Sequence, residues 1–366
     1  MRLDFFPSRT MTVYIGRMFL TRILAVLLML VLVLQMLDLL SESGNILAAP
    51  GNGQAELVTY VSLRFPQLVA RFLPYSVLLA TIITLMTLNQ NSEVIAMKAS
   101  GLSAHQVLAP LFLVAAGIAV VNFAFNERIV TRATGTLKAW QAVNFGPIPR
   151  DSGTRNDVWL QDGSNILFAK SVAGEGAAMR MSDVSWYRRD PNGMVAEIVR
   201  APGASYAGPG WRFDAPTSFD VAAARVTPLG QPQVYAREVE PVQVVINKTD
   251  ADAESLAALS RSLTAIRNAG RRTAEIDGKW WHKISGPLSA LLMPLLGAVA
   301  AFGLARSGQL LMRAIIGMAL GFAYFVIDNA ALAIGNFGGY PPIVAAWAPF
   351  FLFLLIGETV LIRTEE

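Results

Sequence analysis

The sequence predicts an α+β membrane protein in which six transmembrane helices, in two groups of three, flank an inserted all-β domain. Six apolar runs are each long enough to cross about 30 Å of hydrocarbon: Phe19–Leu40, Leu68–Leu88, Val107–Phe125, Ile284–Leu304, Ala314–Ile334 and Ile343–Ile362. Between the third and fourth runs, the interval from Asn126 to Lys283 contains most of the charged residues. Hydrophobic residues make up 54% of the chain and the mean hydropathy is +0.45, so lipid must cover part of the surface.

Basic residues that flank the spans predict that both chain termini are cytoplasmic. The positive-inside rule counts Lys and Arg in short loops near the membrane. Lys98 lies between the second and third spans, Arg306 and Arg313 lie between the fourth and fifth, and four arginines flank or enter the first span: Arg2, Arg9, Arg17 and Arg22. Three crossings then place the inserted domain on the opposite side. The alternative is a signal peptide cleaved near Leu47–Pro50, whose apolar core would be about twice the usual length.

The first part of the inserted interval, from Asp157 to Ile246, is predicted to be β-structure. Short β-rich runs alternate there with the turn sequences Asp162-Gly163 and Pro191-Asn192-Gly193. The predicted strands are Val158–Gln161, Ile166–Lys170, Val184–Tyr187, Val195–Arg200, Gly210–Phe213 and Gln233–Tyr235. Because no helical pattern separates them, the sequence favours a sandwich, a jelly roll or an open barrel.

The second part, from Asp252 to Ala269, is predicted to be an amphipathic helix. Asp252 is the expected N-cap and Gly270 the expected C-terminal stop. Four apolar side chains share one helical face: Leu256, Leu259, Leu263 and Ile266.

Several kinds of chemistry have no matching pattern in the sequence. No Gly-x-x-x-x-Gly-Lys-Ser/Thr or Gly-x-Ser-x-Gly string occurs, and Gly278-Lys279 is followed by Trp280. His105 and His282 are the only histidines and the chain has no cysteine, so we expect no metal site, no thiol chemistry and no catalytic triad. Each His is expected to be an ordinary interfacial residue. Lys and Arg are scattered rather than clustered, which predicts no nucleic-acid partner.

The short connection Asn89–Gln106, between the second and third spans, contains the sharpest local signal. Ser92 and Gly101 are the expected start and stop of a two-turn helix, and Ser103 with Gln106 forms a capping box for the next helix. Glu93 and Lys98 are polar, whereas three side chains are available for burial: Val94, Ile95 and Met97. The helix is either a plain connector or a knob that docks into a cytoplasmic partner.

Several segments together resemble a known family and occur in that family's order along nearly the whole chain. The most specific is Asn91–Ser103, with the pattern Glu-x-x-x-Met-Lys/Arg-Ala-x-Gly; the others are Phe65-Pro66, Leu73-Pro74, Trp159–Gly163, Gly210-Trp211, Tyr340–Pro342 and Ala345–Pro349. The sequence is similar to the permease subunits of the lipopolysaccharide export transporter, and closer to the LptG type than to the LptF type. Lys98 stands where the family has Arg, which keeps the charge but loses the planar guanidinium.

The resemblance implies a non-catalytic subunit that binds no cofactor itself. In that family, two paralogous six-span permeases form a cavity open toward the outer leaflet of the bacterial inner membrane, and their periplasmic β-jelly rolls pass lipopolysaccharide onward. The implied partners are an LptF-type permease, an LptB-type ATPase dimer that binds ATP, an LptC-type periplasmic protein and lipopolysaccharide. The implied ATPase-coupling residues are Glu93, Met97, Lys98 and Gly101. The alternative role for Glu93 is only to stabilise the N-terminus of its own helix.

Charged residues in or beside the spans are candidates for lipid binding, because a charge in hydrocarbon costs at least about 2.5 kcal/mol. The candidates are Arg71, Arg128, Arg132 and Asp38. Arg pairs two donors with a phosphate, which suits a multiply phosphorylated lipid. The alternatives are contacts with ordinary headgroups, pairing of the arginines with Glu127, or pairing of Asp38 with a cation on this chain or a partner. Arg22 is expected to reach the headgroups from the first span.

The fifth span carries the candidate gate residues: Gly317, Gly321, Tyr324 and Asp328. Gly317 and Gly321 form a Gly-x-x-x-Gly face that allows close helix approach, and Asp328 either lines a gate or bonds to a neighbouring helix. Trp280-Trp281 is expected to anchor the fourth span at the interface.

These interpretations divide the chain into three parts. Residues 1–125 hold the first three spans with a coupling helix near 91–101, residues 126–283 form the periplasmic domain with its amphipathic helix, and residues 284–366 hold the last three spans. The competing hypothesis is a membrane-anchored periplasmic scaffold, or a lipid-modifying enzyme, that acts without an ATPase.

Overall fold

The computed structural model describes residues 6–147, 155–174, 176–241, 243–244, 250–268, 272–302 and 310–365. They form two compact units. A helical unit draws on 1–148, 250–260 and 273–366, and a sheet unit draws on 149–249 and 261–272. Six residues named in the sequence analysis lie outside the described ranges: Arg2, Ile246, Ala269, Gly270, Leu304 and Arg306.

The helical unit contains nearly all of the long helices of the chain. The described helices are α1 (Arg9–Ala48), α2 (Gln54–Gln90), α3 (Glu93–Ala99), α4 (Ala104–Phe125), α5 (Thr131–Ala142), α6 (Leu256–Asn268), α7 (Ala274–Phe302), α8 (Leu310–Asn336) and α9 (Pro342–Glu365). Five segments among the described residues are long and apolar enough to cross a membrane: Arg9–Ala48, Gln54–Gln90, Ala104–Ala142, Ile315–Asn336 and Pro342–Arg363. The predicted fourth span falls on α7.

The first two helices are longer than a bilayer requires. α1 has 40 residues and α2 has 37, which correspond to about 60 and 55 Å of helix. α1 buries one stripe of side chains at helical spacing and leaves most of the rest of its apolar surface exposed: the buried stripe includes Ile15, Phe19, Ile23, Leu27 and Val31. Such a helix packs on one side only, so lipid or a partner must cover the other.

A large apolar cluster joins the helices from both ends of the sequence. It takes buried side chains from α1, α2, α3, α4, α7, α8 and α9. A second, smaller cluster lies where α1 and α2 meet the end of α5: Ile46, Tyr60, Leu137, Trp140 and Phe145. Asn52 in the α1–α2 turn donates hydrogen bonds to the carbonyls of Ile46 and Phe145 at 2.9 and 2.8 Å. We call this region the α1–α2 end and the opposite end of the helical unit the α3 end.

A π-helical turn, Asn126–Val130, joins α4 to α5. Residues 126–142 are predicted from the sequence to lie in the inserted domain, but this segment is helical and belongs to the helical unit. Single π turns inside longer helices are frequent at functional sites.

The sheet unit contains one eight-stranded antiparallel sheet with the order β1-β2-β3-β4-β5-β8, and β6 pairs with β4 and β7. The strands are β1 (Arg155–Asp162), β2 (Asn165–Ala173), β3 (Arg180–Arg189), β4 (Val195–Tyr206), β5 (Trp211–Asp214), β6 (Thr217–Asp220), β7 (Arg225–Pro228) and β8 (Gln233–Tyr235). Each of the six predicted strands overlaps an observed one, and both predicted turns connect consecutive strands. β6 and β7 were not predicted from the sequence.

The sheet packs a core of its own on one face. Leu160 of β1 is paired with Leu167 of β2, which is in turn paired with Trp186 of β3. Because directly opposed residues of neighbouring strands share a face, these side chains lie together. They pack with Val199, Trp211 and Phe213 of the next strands.

Helix α6 begins later than predicted. Asp252 was the expected N-cap, but the helix starts at Leu256, and the Oγ of Ser255 accepts a hydrogen bond from the Ala258 N–H at 3.3 Å. The expected start was therefore wrong. Of the predicted apolar face, Leu259, Leu263 and Ile266 are buried, as expected.

Candidate functional site

The predicted helix between the second and third spans is present as α3, Glu93–Ala99. Ser92 precedes it with a left-handed backbone, φ 59°, and its side chain makes no capping hydrogen bond. An N-cap residue accepts from the helix when its own backbone is extended, so this conformation prevents the expected cap. The prediction of Ser92 as the N-cap side chain was wrong, whereas the predicted extent of the helix was right to within two residues.

Two faces of α3 differ sharply in burial. Val94 and Met97 are only 3% and 2% exposed and pack into the large apolar cluster of the helical unit. Ile95 is 66% exposed, and Lys98 is exposed beside it. The first face therefore anchors the helix, and the second is a surface that this chain leaves open to solvent. Met97, an expected coupling residue, lies on the anchoring face.

Glu93 is held by two neighbours from outside α3. Its Oε1 accepts a hydrogen bond from the Tyr14 hydroxyl of α1 at 3.3 Å and from Asn91 Nδ2 at 3.1 Å. The carboxylate also lies in the first turn of α3, where the helix dipole favours a negative charge. Glu93 thus ties α3 to α1.

The end of α3 and the start of α4 form a tightly hydrogen-bonded connection. Gly101 has φ 87°, a left-handed conformation that favours glycine at a helix end. The Leu102 N–H donates to the Met97 carbonyl at 3.2 Å. The predicted capping box is confirmed: Ser103 Oγ accepts from the Gln106 N–H at 3.2 Å, and Gln106 Oε1 accepts from the Ser103 N–H at 3.0 Å.

Both histidines of the chain are paired with carboxylates of other helices, and neither pair was predicted from the sequence. His105 Nε2 lies 3.0 Å from Glu358 Oε2, which joins α4 to α9. His282 Nε2 lies 2.9 Å from Asp328 Oδ2, which joins α7 to α8. The partners are 253 and 46 residues apart, so no local sequence pattern could reveal either pair.

The candidate gate residues of α8 lie on its inward side. Gly317 and Gly321 are buried, and a methyl group at Gly321 would lie 2.1 Å from Leu78 Cδ2 of α2. Tyr324 is buried edge-to-face against Phe353 of α9, with ring centroids 5.5 Å apart. Together with the Asp328–His282 pair, these contacts hold α8 against α2, α7 and α9 of the same chain.

The three candidate lipid-binding arginines, Arg71, Arg128 and Arg132, have exposed side chains. Among the described residues, none of them makes a hydrogen bond or an ion pair. Glu127, the alternative partner of the arginines, instead accepts a hydrogen bond from the Leu256 N–H at 2.7 Å and lies 4.0 Å from Lys283 Nζ.

Asp38 has its partners within the chain. Its two oxygens accept hydrogen bonds from Arg64 at 2.9 and 3.1 Å and from the Tyr60 hydroxyl at 2.6 Å. This arrangement links α1 to α2 at the α1–α2 end. Arg22 donates to the Ile83 carbonyl of α2 at 3.0 Å.

The sequence from residue 13 to residue 363 matches the family model described as "Lipopolysaccharide export system permease LptF/LptG". The chain belongs to this family. It is 25% identical to "Lipopolysaccharide export system permease protein LptG" of Escherichia coli (strain K12), over 98% of this chain and 99% of that protein. It is 22% identical to the LptG protein of Haemophilus influenzae (strain ATCC 51907 / DSM 11121 / KW20 / Rd), again over 98% and 99%.

The resemblance predicted from the sequence is therefore confirmed, and the chain is a permease component of the lipopolysaccharide export system. Within the described ranges, no three His, Asp or Glu side chains are placed to hold a metal ion.

Trp280 donates from Nε1 to Ser260 Oγ at 2.8 Å and packs edge-to-face on Trp281, at a centroid distance of 4.8 Å.

Proposed function

We propose that this chain is a six-span subunit of an ATP-driven lipopolysaccharide exporter in the bacterial inner membrane. α7 provides the sixth span, both termini are cytoplasmic and the sheet unit is periplasmic, where it has a jelly-roll fold and passes lipid to an LptC-type partner. A paralogous LptF-type permease completes the lipid cavity. ATP is bound by a separate LptB-type ATPase dimer, and this chain extracts lipopolysaccharide from the outer leaflet without catalysing a reaction itself.

The division of α3 into an anchored and an open face carries this proposal. Val94 and Met97 fix the helix to the transmembrane core, whereas Ile95 and Lys98 are exposed on its other face. Glu93 connects α3 to α1 through Tyr14. A motor protein that engages the open face would therefore move the ends of α1, α2 and α4 together.

Substitution of Glu93 tests the coupling role. In the assembled exporter, Glu93→Ala should leave insertion, assembly and ATP hydrolysis in place but abolish release of lipopolysaccharide. Asn91→Ala is the matched control, because it removes a hydrogen bond to the same carboxylate while leaving the carboxylate itself available to a partner. Unchanged lipid release per ATP in Glu93→Ala would remove the coupling role.

Purification in mild detergent tests the assembly itself. The chain should be recovered with an ATPase, a second permease and bound lipopolysaccharide, which mass spectrometry would identify. Recovery without an ATPase or a second permease would instead support the anchored scaffold or lipid-modifying enzyme.

The exposed arginines are proposed to bind the phosphates of the transported lipid, because guanidinium groups pair two donors with one phosphate. Arg128→Ala combined with Arg132→Ala should weaken binding of phosphorylated lipid A, measured against the dephosphorylated form as the ligand control. Equal loss for both ligands, or no loss for either, would leave these residues as contacts for ordinary headgroups.

A further inference from the structure

The His105–Glu358 pair connects the first helix after α3 to the last helix of the chain. His105 is the second residue of α4, and Glu358 lies in the second half of α9. Because an ionised carboxylate only accepts hydrogen bonds, the imidazole Nε2 is the donor across the 3.0 Å contact. α4 packs mainly on α1 and α7, and α9 packs mainly on α7 and α8. The pair therefore joins two helices that share α7 as a neighbour but otherwise pack on different helices, α1 for α4 and α8 for α9.

In the connection between α3 and His105, every backbone N–H from Ser100 to Ser103 donates a hydrogen bond, so the connection is stiff. The N–H groups of Ser100, Gly101 and Leu102 donate to carbonyls of α3 at 3.0 to 3.2 Å. The next N–H, that of Ser103, donates to the Gln106 side chain at 3.0 Å. Ala104 is fully buried. A displacement of α3 must therefore move the first turn of α4, and His105 with it.

On the other side of the contact, Glu358 is part of a helix that is firmly packed. Phe353 and Leu361, within one and a half turns on either side, are buried in the large apolar cluster. Phe353 also packs edge-to-face on Tyr324 of α8. A movement of Glu358 therefore displaces α9 and α8 together.

We propose that the His105–Glu358 pair transmits the movement of α3 to the helices that follow the sheet unit. Both are positioning residues, which act through α4 and α9. The inference rests on the proposed function, because it requires a motor that acts on α3. It adds a route by which one short helix drives both groups of spans.

The test uses the complete exporter reconstituted in vesicles that contain lipopolysaccharide, with lipid release and ATP hydrolysis measured in the same sample. His105→Ala and Glu358→Ala should each reduce the lipid released per ATP by roughly threefold to tenfold, since residues within a coupling route typically change the coupling this much. The double variant should be no worse than either single variant, because the second change removes nothing further. Glu358→Gln keeps an acceptor for Nε2 and should retain most of the ratio.

Thr359→Ala is the matched control, since Thr359 is the exposed neighbour of Glu358 and bonds only within its own helix, to the Leu355 carbonyl. An unchanged ratio in both single variants, while Glu93→Ala still uncouples, would overturn the transmission role and leave the proposed function intact. If Glu93→Ala is also without effect, the proposed coupling through α3 fails as well. A lower yield of complex with an unchanged ratio would show a purely structural contact and would also overturn the inference.

Discussion

The two ends of the helical unit are held together in different ways. At the α3 end, most of the hydrogen bonds that shape the chain join residues within five positions of each other, as in the Gly101 turn and the Ser103 capping box. At the α1–α2 end, the key contacts join residues far apart in the sequence: Asp38–Arg64, Glu127–Leu256, Lys138–Asp250 and His282–Asp328. The Tyr14–Glu93 hydrogen bond and the His105–Glu358 pair are exceptions at the α3 end.

This difference shows how one bundle can be both fixed and movable. Long-range ion pairs hold whole helices at a set distance, whereas local turns and caps keep α3 and the start of α4 rigid, and fewer long-range hydrogen bonds join that segment to other helices. The α3 end can thus move as a small rigid piece. The α1–α2 end resists separation of α1 from α2 and of α6 from the π turn.

The largest expected effect is from Asp38→Ala, which leaves Arg64 and Tyr60 without their acceptor. We expect a loss of about 2 kcal/mol in the free energy of unfolding, less than for a fully buried pair because both side chains are partly exposed. Thermal unfolding in detergent measures it. Glu42→Ala is the control, one turn further along α1, where the carboxylate bonds only to Asn45 of the same helix. If Asp38→Ala and Glu42→Ala lowered the free energy of unfolding equally, the long-range Asp38–Arg64 contact would not be what stabilises the α1–α2 end.

The next effect comes from Glu127, which accepts from the first N–H of α6 and lies near Lys283. Glu127→Ala removes both interactions and should cost about 1–2 kcal/mol in the free energy of unfolding. Glu127→Gln keeps an acceptor for the Leu256 N–H and should cost less. If both substitutions cost the same, the charge near Lys283 rather than the helix N-terminus is what matters.

Ser103→Ala tests the local construction of the α3 end. Loss of the capping hydrogen bond should cost about 1 kcal/mol, because one N–H of the first turn of α4 loses its acceptor. Ser100→Ala serves as the control, since the Ser100 hydroxyl donates to the Met97 carbonyl and caps no N–H group. If Ser103→Ala lowered the free energy of unfolding more than Asp38→Ala does, the local hydrogen bonds of the α3 end would contribute more to stability than the long-range contacts of the α1–α2 end.

The smallest effect is from Asp250→Asn, and it depends on pH. Burial is the largest single influence and opposes ionisation of Asp250, but the hydrogen bonds from Lys138 and the Asp252 N–H, together with the charges of Lys138 and Lys279, outweigh it. The pKa of the carboxyl therefore lies below its ordinary value of 3.8. A lowered pKa in the folded state stabilises the protein above the unfolded pKa, and this stabilisation is lost as the pH falls through the folded value. We expect a difference below about 1 kcal/mol at pH 7 that disappears below pH 3.8. A difference that persists in acid would exclude the ion pair as its cause.

Prediction from the sequence succeeded where the signal lies within a few residues. The six predicted strands and the capping box at Ser103 follow from short patterns of β-branched residues, turn residues and a spaced hydroxyl and amide. β7 was missed because all four of its residues are exposed and show no alternation between two faces. Ser92 was misassigned because a favourable residue type does not fix the backbone conformation that capping requires.

The amino-acid sequence by itself determined that the chain is a membrane protein with an inserted sheet, where six of the eight strands of that sheet lie, and the family to which the chain belongs. Hydrophobic length and local periodicity encode these features, since each is read over a few to about twenty residues. The tertiary structure alone decided which side of α3 is open, that Asp38 pairs with Arg64, and that each histidine meets a carboxylate on another helix. Those contacts depend on how helices pack side by side, and the packing brings together residues up to 253 positions apart.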